Sequence, residues 1–434
     1  MRSSRTGMGA MCGVLLCIGC GLLLFDGSGC SGSGSSTHPV GRGEGHRAKS
    51  AIVEEMAGAQ AITREGVTVY CSEDLGRQAE CLAGLIARQL SDIRAATAFE
   101  FTVKQVNVYL KSVEQVAPAR SLAGRFWLSK TACCMVLFVE PDRTSCEDII
   151  ALNRIYPDIF VHELVEWSLF KGSPRPRLLL DYRRRTFWGR TRDEFHYTRW
   201  FREGFACYAG VLACKATVVG DGSGREKIPS EVLQRKLDQQ NPFTALASVG
   251  KGIFVWHQYQ DHAGYAVGRA PPDAYSTENN HYDAALGLFL LIEHRYGQNA
   301  IREIIQKVNK LENGTGEDVK RIVSQVLGTD IVEFAEAFRF PKTGLDLVAV
   351  YPPDPLPGFT IKEGLWVNGV GVDSPAQRAG IRTGDVVVSL DSDRTVTNFV
   401  FELALYRRMH QQSVKIGLWR KGAGHMTMEV NLRE

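Results

Sequence analysis

Three side chains suited to metal or acid–base chemistry, His162, Glu163 and Glu166, lie within five residues of one another. On a helix, a spacing of four puts His162 and Glu166 on one face, where an imidazole and a carboxylate could bind the same divalent ion. Glu163 would project beside them, as a base acting on metal-bound water must. The segment therefore predicts a helix that carries part of a catalytic metal site.

A second segment offers a third ligand. Residues 200–208 read W-F-R-E-G-F-A-C-Y, in which Glu203 is the candidate. Catalytic zinc sites use three protein ligands and keep one position open for water, so one nitrogen and two carboxylates suffice in number. Two carboxylates suit manganese or iron somewhat better than they suit zinc. His196, seven residues before Glu203, is an alternative nitrogen ligand.

The two segments together resemble the gluzincin metallopeptidases, in which an H-E-x-x-H helix is followed by a helix with W-x-x-E-G-x-A-x-Y. Here Glu166 stands where that family has its second His. The resemblance covers residues 65 to 340 and implies a thermolysin-like, peptidase MA-like domain with a small mixed sheet and a helical lobe. It also implies zinc as cofactor and a peptide or protein substrate. Tyr282, at the start of a later helix, would stabilise the oxyanion, with plain aromatic packing as the alternative.

A second hypothesis needs no metal. Glu163, Glu166 and Glu203 would then crowd like charges around one cleft, which is costly unless a cation compensates them. Arg199 and Arg202 lie near enough in the sequence to be those cations. The sequence thus leaves two functions open: a metallopeptidase in which Glu163 activates metal-bound water, and an inactive pseudopeptidase that binds peptides as a scaffold.

Residues 350–434 resemble a PDZ domain, a β-sandwich-like module, through residues 373–387, which read D-S-P-A-Q-R-A-G-I-R-T-G-D-V-V. A peptidase MA-like domain followed by this module resembles the glycyl aminopeptidase family. The PDZ resemblance implies that a carboxyl-terminal peptide adds as a strand beside a helix over 398–409. The loop that binds its carboxylate would lie near Gly358 and Phe359.

The amino-terminal residues predict export. Arg2 and Arg5 precede an apolar run that ends before Cys30 and a Gly/Ser-rich stretch. This pattern is typical of a lipoprotein signal peptide over residues 1–30, with Cys20 as a second candidate for the lipidated residue. A flexible tether over 31–60 would follow. We therefore expect a lipid-anchored protein of the cell envelope, with plain secretion or an uncleaved anchor as alternatives.

Size and charge bound the remaining possibilities. A chain of 434 residues predicts two to three domains, which we place at 61–345 and 350–434 in an α+β fold. The net charge of +3, without basic runs interleaved with aromatic residues, argues against nucleic acid as a partner. An arginine-rich stretch over 175–192 predicts a loop. Cys71 and Cys81 could form a disulfide in an oxidising compartment.

Overall fold

The computed structural model describes residues 59–102, 106–112, 125–128, 133–139, 157–170, 176–180, 182–187, 190–218, 241–256, 274–350, 364–395 and 397–433. The predicted signal peptide, nearly all of the tether, and the predicted loop at Gly358 and Phe359 lie outside these ranges. Within them, no helix combines the length and the apolar character that crossing a membrane requires.

A five-stranded mixed sheet begins the N-terminal lobe. Its strands are β1 (Gln60–Arg64), β2 (Val67–Cys71), β3 (Val106–Ser112), β4 (Arg125–Leu128) and β5 (Cys133–Val139). They lie in the order β1-β2-β3-β5-β4, and β2, β3 and β5 run parallel while β1 and β4 are antiparallel edges. The predicted strand over 67–71 coincides with β2, whose Val67 and Val69 are fully buried.

Helices make up the rest of this lobe. They are α1 (Gly76–Thr97), α2 (Pro157–Phe170), α3 (Arg199–Val218), α4 (Pro242–Val249), α5 (Ala274–Tyr296), α6 (Gln298–Val308), α7 (Gly316–Leu327) and α8 (Ile331–Glu336), with 3-10 turns at Glu73–Leu75 and Gly250–Val255. Aromatic residues of α3 and α5 form the centre of the main core, where Phe201 and Phe205 pack on Phe289. The predicted mixed α+β class, with a sheet and a helical lobe, is confirmed.

Two sequence predictions are wrong. The arginine-rich stretch forms an antiparallel hairpin of β6 (Tyr182–Phe187) and β7 (Arg190–Phe195). Pairing between the two main chains holds this hairpin, so its sequence needs no alternation of apolar residues. The Cys71–Cys81 disulfide does not form: Cys71 is a buried free thiol at the end of β2, although Cys81 is disulfide-bonded. Burial and the charge of Asp74 raise the pKa of the Cys71 thiol.

A second, antiparallel sheet organises the C-terminal module. Its elements are β8 (Leu345–Val350), β9 (Gly364–Val370), α9 (Pro375–Arg378), β10 (Val386–Leu390), β11 (Asp393–Arg394), α10 (Asn398–Arg407), β12 (Ser413–Arg420) and β13 (Gly424–Asn431). The strand order is β13-β12-β10-β9-β8, with β11 paired to β10, so β8 lies at the edge. The buried Asp385 carboxylate accepts two hydrogen bonds of 2.7 Å from Arg420, which explains the acid in the G-D motif.

Helix α10 links this module to the N-terminal lobe. Phe399 and Tyr406 of α10 belong to the same buried core as α3 and α5. The start of α4 lies between α10 and α5: Glu402 accepts a 2.9 Å hydrogen bond from the Phe243 amide, and Asp283 accepts one of 3.0 Å from the Asn241 amide. Two carboxylates therefore satisfy amide groups at the N-terminus of one helix, where negative charge is favoured.

Close contact of α4 and α5 depends on Gly287. A Cβ atom at Gly287 would lie 2.2 Å from the carbonyl oxygen of Pro242. We expect Gly287→Ala to lower the free energy of unfolding by about 1 to 3 kcal/mol, because the helices would have to separate. Chemical denaturation measures this. Gly84→Ala in α1 is the matched control, since its Cβ would meet nothing within 4 Å; there we expect no loss and a gain of up to about 1 kcal/mol. Equal effects at both positions would contradict the close contact.

Burial raises the pKa values of Asp283 and Glu402 to about 7. Between the ordinary carboxyl pKa and pH 7, the folded state then binds more protons than the unfolded state, so stability falls as pH rises through this range. We expect the melting temperature to fall from pH 5 to pH 8. Glu402→Gln should make this fall shallower by roughly 3 kcal/mol at most, since one pKa unit corresponds to about 1.4 kcal/mol. An unchanged pH profile in that variant would contradict the buried ionisation.

Candidate functional site

Helices α2 and α3 lie side by side and bring the three predicted ligands together. His162 and Glu166 come from α2 and Glu203 comes from α3, and one donor atom from each lies within 4.8 Å of the others. His162 and Glu203 are 6% and 4% exposed, so the group is shielded from bulk water. This group could hold a metal ion, as the spacing of the sequence predicts.

Position 204, directly after Glu203, has room for a glycine only. A Cβ atom at Gly204 would lie 2.9 Å from the carbonyl oxygen of Ala285 and 3.0 Å from the ring of Phe289. The absence of a side chain therefore lets α3 approach α5 closely. This approach sets Tyr282, one turn before Ala285 on α5, beside the first turn of α3.

The guanidinium of Arg202 bridges the two candidate carboxylate ligands. Its Nε lies 2.9 Å from Oε1 of Glu166, and its Nη2 donates a 3.1 Å hydrogen bond to Oε1 of Glu203. The Arg202 side chain is 5% exposed. Of the two cations that the sequence offers here, Arg199 and Arg202, it is Arg202 that contacts both carboxylates.

Arg199 extends the same network towards α5. Its Nε lies 3.6 Å from Oε1 of Glu203, one helical turn away, and its Nη2 donates a 3.0 Å hydrogen bond to the hydroxyl of Tyr282. The guanidinium also lies over the ring of Trp256, with 4.3 Å between its carbon and the ring centroid. Tyr282 therefore belongs to the site as a partner of Arg199, and it also packs edge-to-face on Trp256.

His162 is held through both ring nitrogens. Its Nε2 lies 3.3 Å from Oε2 of Glu203, and its Nδ1 lies 3.7 Å from the sulfur of Cys207. Burial opposes the charged imidazolium, but Cys207, Glu203 and Glu166 raise the pKa of His162 well above its ordinary value. Burial likewise opposes ionisation of Glu203, yet His162, Arg202 and Arg199 outweigh it and lower its pKa.

The charge of this network bears on whether a metal fits. The donors match a divalent ion in number and spacing. However, two carboxylates already face two guanidiniums, which stay charged at any ordinary pH. A dication placed here would be attracted by the two carboxylates but repelled by the two guanidiniums, each by about 8 kcal/mol at a distance of about 4 Å and an effective dielectric constant of about 20. The two guanidiniums therefore compete with a metal ion for the carboxylates of this group.

The remaining residues that the sequence predicted for the site differ in what the structure shows of them. The backbone of Glu163 lies in α2, but its side chain is outside the described part of the chain, so its role as a base stays a prediction. The same holds for Gly358 and Phe359. His196 is not in the donor group found among the described residues. Cys207 was missed, although its spacing of four from Glu203 on one helix could have indicated it.

We expect Arg202→Met to lower the free energy of unfolding by about 3 to 5 kcal/mol, because it leaves two buried carboxylates without their shared cation. Urea denaturation at pH 7 measures the change. Arg321→Met is the matched control, since Arg321 pairs with Asp318 on the surface and is 65% exposed; we expect a loss below about 1 kcal/mol there. A similarly small loss in Arg202→Met would show that the bridge is not a stabilising contact.

Comparisons with known proteins give only distant similarities. No family model and no curated protein matches the chain. An aminopeptidase N family protein from Idiomarina loihiensis aligns over 87% of this chain and 67% of its own, with 15% identity and a TM-score of 0.39. The HtrA3 PDZ domain bound to a phage-derived ligand aligns over 20% of this chain and 80% of its own, with 20% identity and a TM-score of 0.18. An AlgW variant, an HtrA-type protease with a decapeptide, aligns over 21% and 27%, with 23% identity and a TM-score of 0.19. These values do not define a family for the chain.

Proposed function

We propose that this chain is an exported, peptidase-like protein that binds peptides without hydrolysing them. The observation that carries the proposal is the contact of Arg202 with both Glu166 and Glu203. The positive charge of this guanidinium compensates the two carboxylates, as a divalent ion does in a metallopeptidase. The carboxylates of the predicted metal site are then neutralised by a side chain of the protein itself.

The burial of the charged network supports the proposal that the protein does not hydrolyse peptides. Buried charges are stable when each is paired and hydrogen-bonded, and removing one partner leaves an uncompensated charge. Glu203 contacts His162, Arg199 and Arg202 at once, and all four side chains are at least nine-tenths buried. A metal could bind Glu203 only by competing with three existing partners, and the charge of Glu203 is already compensated without a metal.

The sequence resemblance and the edge strands of the sheets support the proposal of peptide binding. Strand β4 lies at one edge of the mixed sheet, and β8 lies at one edge of the C-terminal sheet. An edge strand presents main-chain donors and acceptors to which an extended peptide can add. We infer that the ligand is an extended peptide segment, and that the lipid anchor predicted at Cys30 keeps the protein at the cell envelope.

A metallopeptidase is the second candidate, and the proximity of His162, Glu166 and Glu203 favours it. These residues would hold the metal, which would supply an activated water. Glu163 would be the base that accepts the proton from that water. Arg199 would hold the hydroxyl of Tyr282 in place near the cleft.

Metal content and peptide binding of the full-length chain separate the two candidates. We expect well below one metal ion per chain by elemental analysis, no hydrolysis of a quenched peptide library, and peptide binding that EDTA leaves unchanged. The physical reason is that Arg202 already balances the two carboxylates. About one metal per chain, with hydrolysis that EDTA and Glu163→Gln both abolish, would establish the metallopeptidase instead.

Paired substitutions test the role of the guanidinium directly. Glu166→His alone adds a nitrogen ligand but leaves Arg202 beside Glu203, so we expect little gain in zinc affinity. Glu166→His combined with Arg202→Asn removes that charge as well and should bind zinc at least tenfold more tightly by calorimetry. Equal zinc affinity of the single and double variants would mean that Arg202 does not oppose the metal.

A further inference from the structure

Edge strand β8, helix α10 and the segment that leads into β8 surround one groove of the C-terminal module. Helix α10 packs beside β8, and Asn398, its first residue, donates a 3.1 Å hydrogen bond to the carbonyl of Leu347. Phe340 lies five residues before β8 and packs against the cores of both lobes. An extended peptide that added to β8 would have to lie along this face of α10.

The protein's own α4 occupies that face. The ring of Phe243 stacks on Tyr406 of α10, with 4.5 Å between centroids and 10° between planes. The same ring stacks on Phe340 at 5.7 Å and contacts Phe338 at 6.1 Å. Phe243 is 1% exposed, so aromatic side chains from both lobes enclose it.

A buried carboxylate fixes this contact. Glu402 is 5% exposed on α10 and accepts a 2.9 Å hydrogen bond from the Phe243 amide, with longer contacts of 3.4 and 3.5 Å from the Thr244 amide. Amides in the first turn of a helix have no intrahelical partner, so Glu402 supplies acceptors that α4 lacks by itself. Asp283 accepts the Asn241 amide from the opposite side, on α5.

The bond from Asn398 closes the edge of the groove at β8. In strand addition, the outward carbonyl groups of an edge strand accept amides from the incoming peptide. Leu347 already receives the Asn398 side chain at its carbonyl. A peptide would have to displace this bond at β8 and the aromatic ring of Phe243 beside α10.

We propose that residues 241–244 latch the groove of the C-terminal module shut, and that a peptide reaches β8 only by displacing this latch. The proposal rests on the peptide-binding part of the proposed function and assigns its regulation. Phe243 fills the groove and Glu402 holds the segment there. The module is therefore closed at rest, and binding of a peptide is coupled to movement of α4.

Fluorescence anisotropy of the full-length chain tests the latch. The probe is a labelled decapeptide with a free carboxyl-terminal valine. We expect Glu402→Ala and Phe243→Ala each to bind it at least tenfold more tightly than the wild type, because each weakens the occupant. Glu402→Gln keeps an oxygen acceptor for the amides and is the matched control, so its affinity should equal that of the wild type. Asp283→Asn likewise keeps an oxygen acceptor for the Asn241 amide, so it should also leave the affinity unchanged.

Equal affinity of the wild type and both alanine variants, including no binding in all three, would overturn the latch. Hydrogen exchange of the wild type gives a second readout that does not depend on how the variants fold. With saturating probe, exchange should slow in β8 and become faster in residues 241–249. Protection of β8 without faster exchange in 241–249 would also overturn it. Neither readout involves the His162 cleft or a chelator. Equal, measurable binding in all three proteins contradicts the latch alone, whereas no binding in any of them also contradicts peptide binding by this module.

Discussion

The pairing of buried charges between α2 and α3 is the constraint on which the N-terminal lobe depends. Glu166 and Glu203 could not be buried together unless a cation lay between them, and Arg202 provides that cation. The contact fixes how the two helices pack, since a guanidinium that reaches two carboxylates tolerates little sliding. The arrangement of the remaining site residues follows from this packing.

A similar rule connects the two lobes. The N-terminus of α4 would leave its first amides without acceptors, and carboxylates from α5 and α10 supply them. Around these polar contacts, Phe243 stacks on Tyr406 and Phe340, and Tyr406 also contacts Phe338. The C-terminal module is thereby part of the main core through α10, and its helix is fixed by the N-terminal lobe.

Local patterns in the sequence predicted much of this structure. The alternating apolar residues of β2 and the helical spacing of His162 and Glu166 depend only on near neighbours, and the structure has the predicted strand and the predicted helix there. The hairpin of β6 and β7 was missed because its charged strands carry no apolar alternation, and main-chain pairing alone reveals them. The sequence indicated Arg202 as a possible cation but not that it bridges Glu166 and Glu203, because Glu166 lies on another helix. The bond between Glu402 and Phe243 spans 159 residues, a separation that no local pattern records.

The shared aromatic core also has a consequence for synthesis on the ribosome. Phe243 emerges roughly 150 residues before α10, a delay of about 10 to 30 s at ordinary elongation rates. During that interval the stacking partner Tyr406 does not yet exist, and the aromatic surface that it later covers stays open to solvent or to other nascent chains. Completion of the N-terminal lobe thus waits for the last part of the chain, which makes this surface a natural target for chaperones during translation.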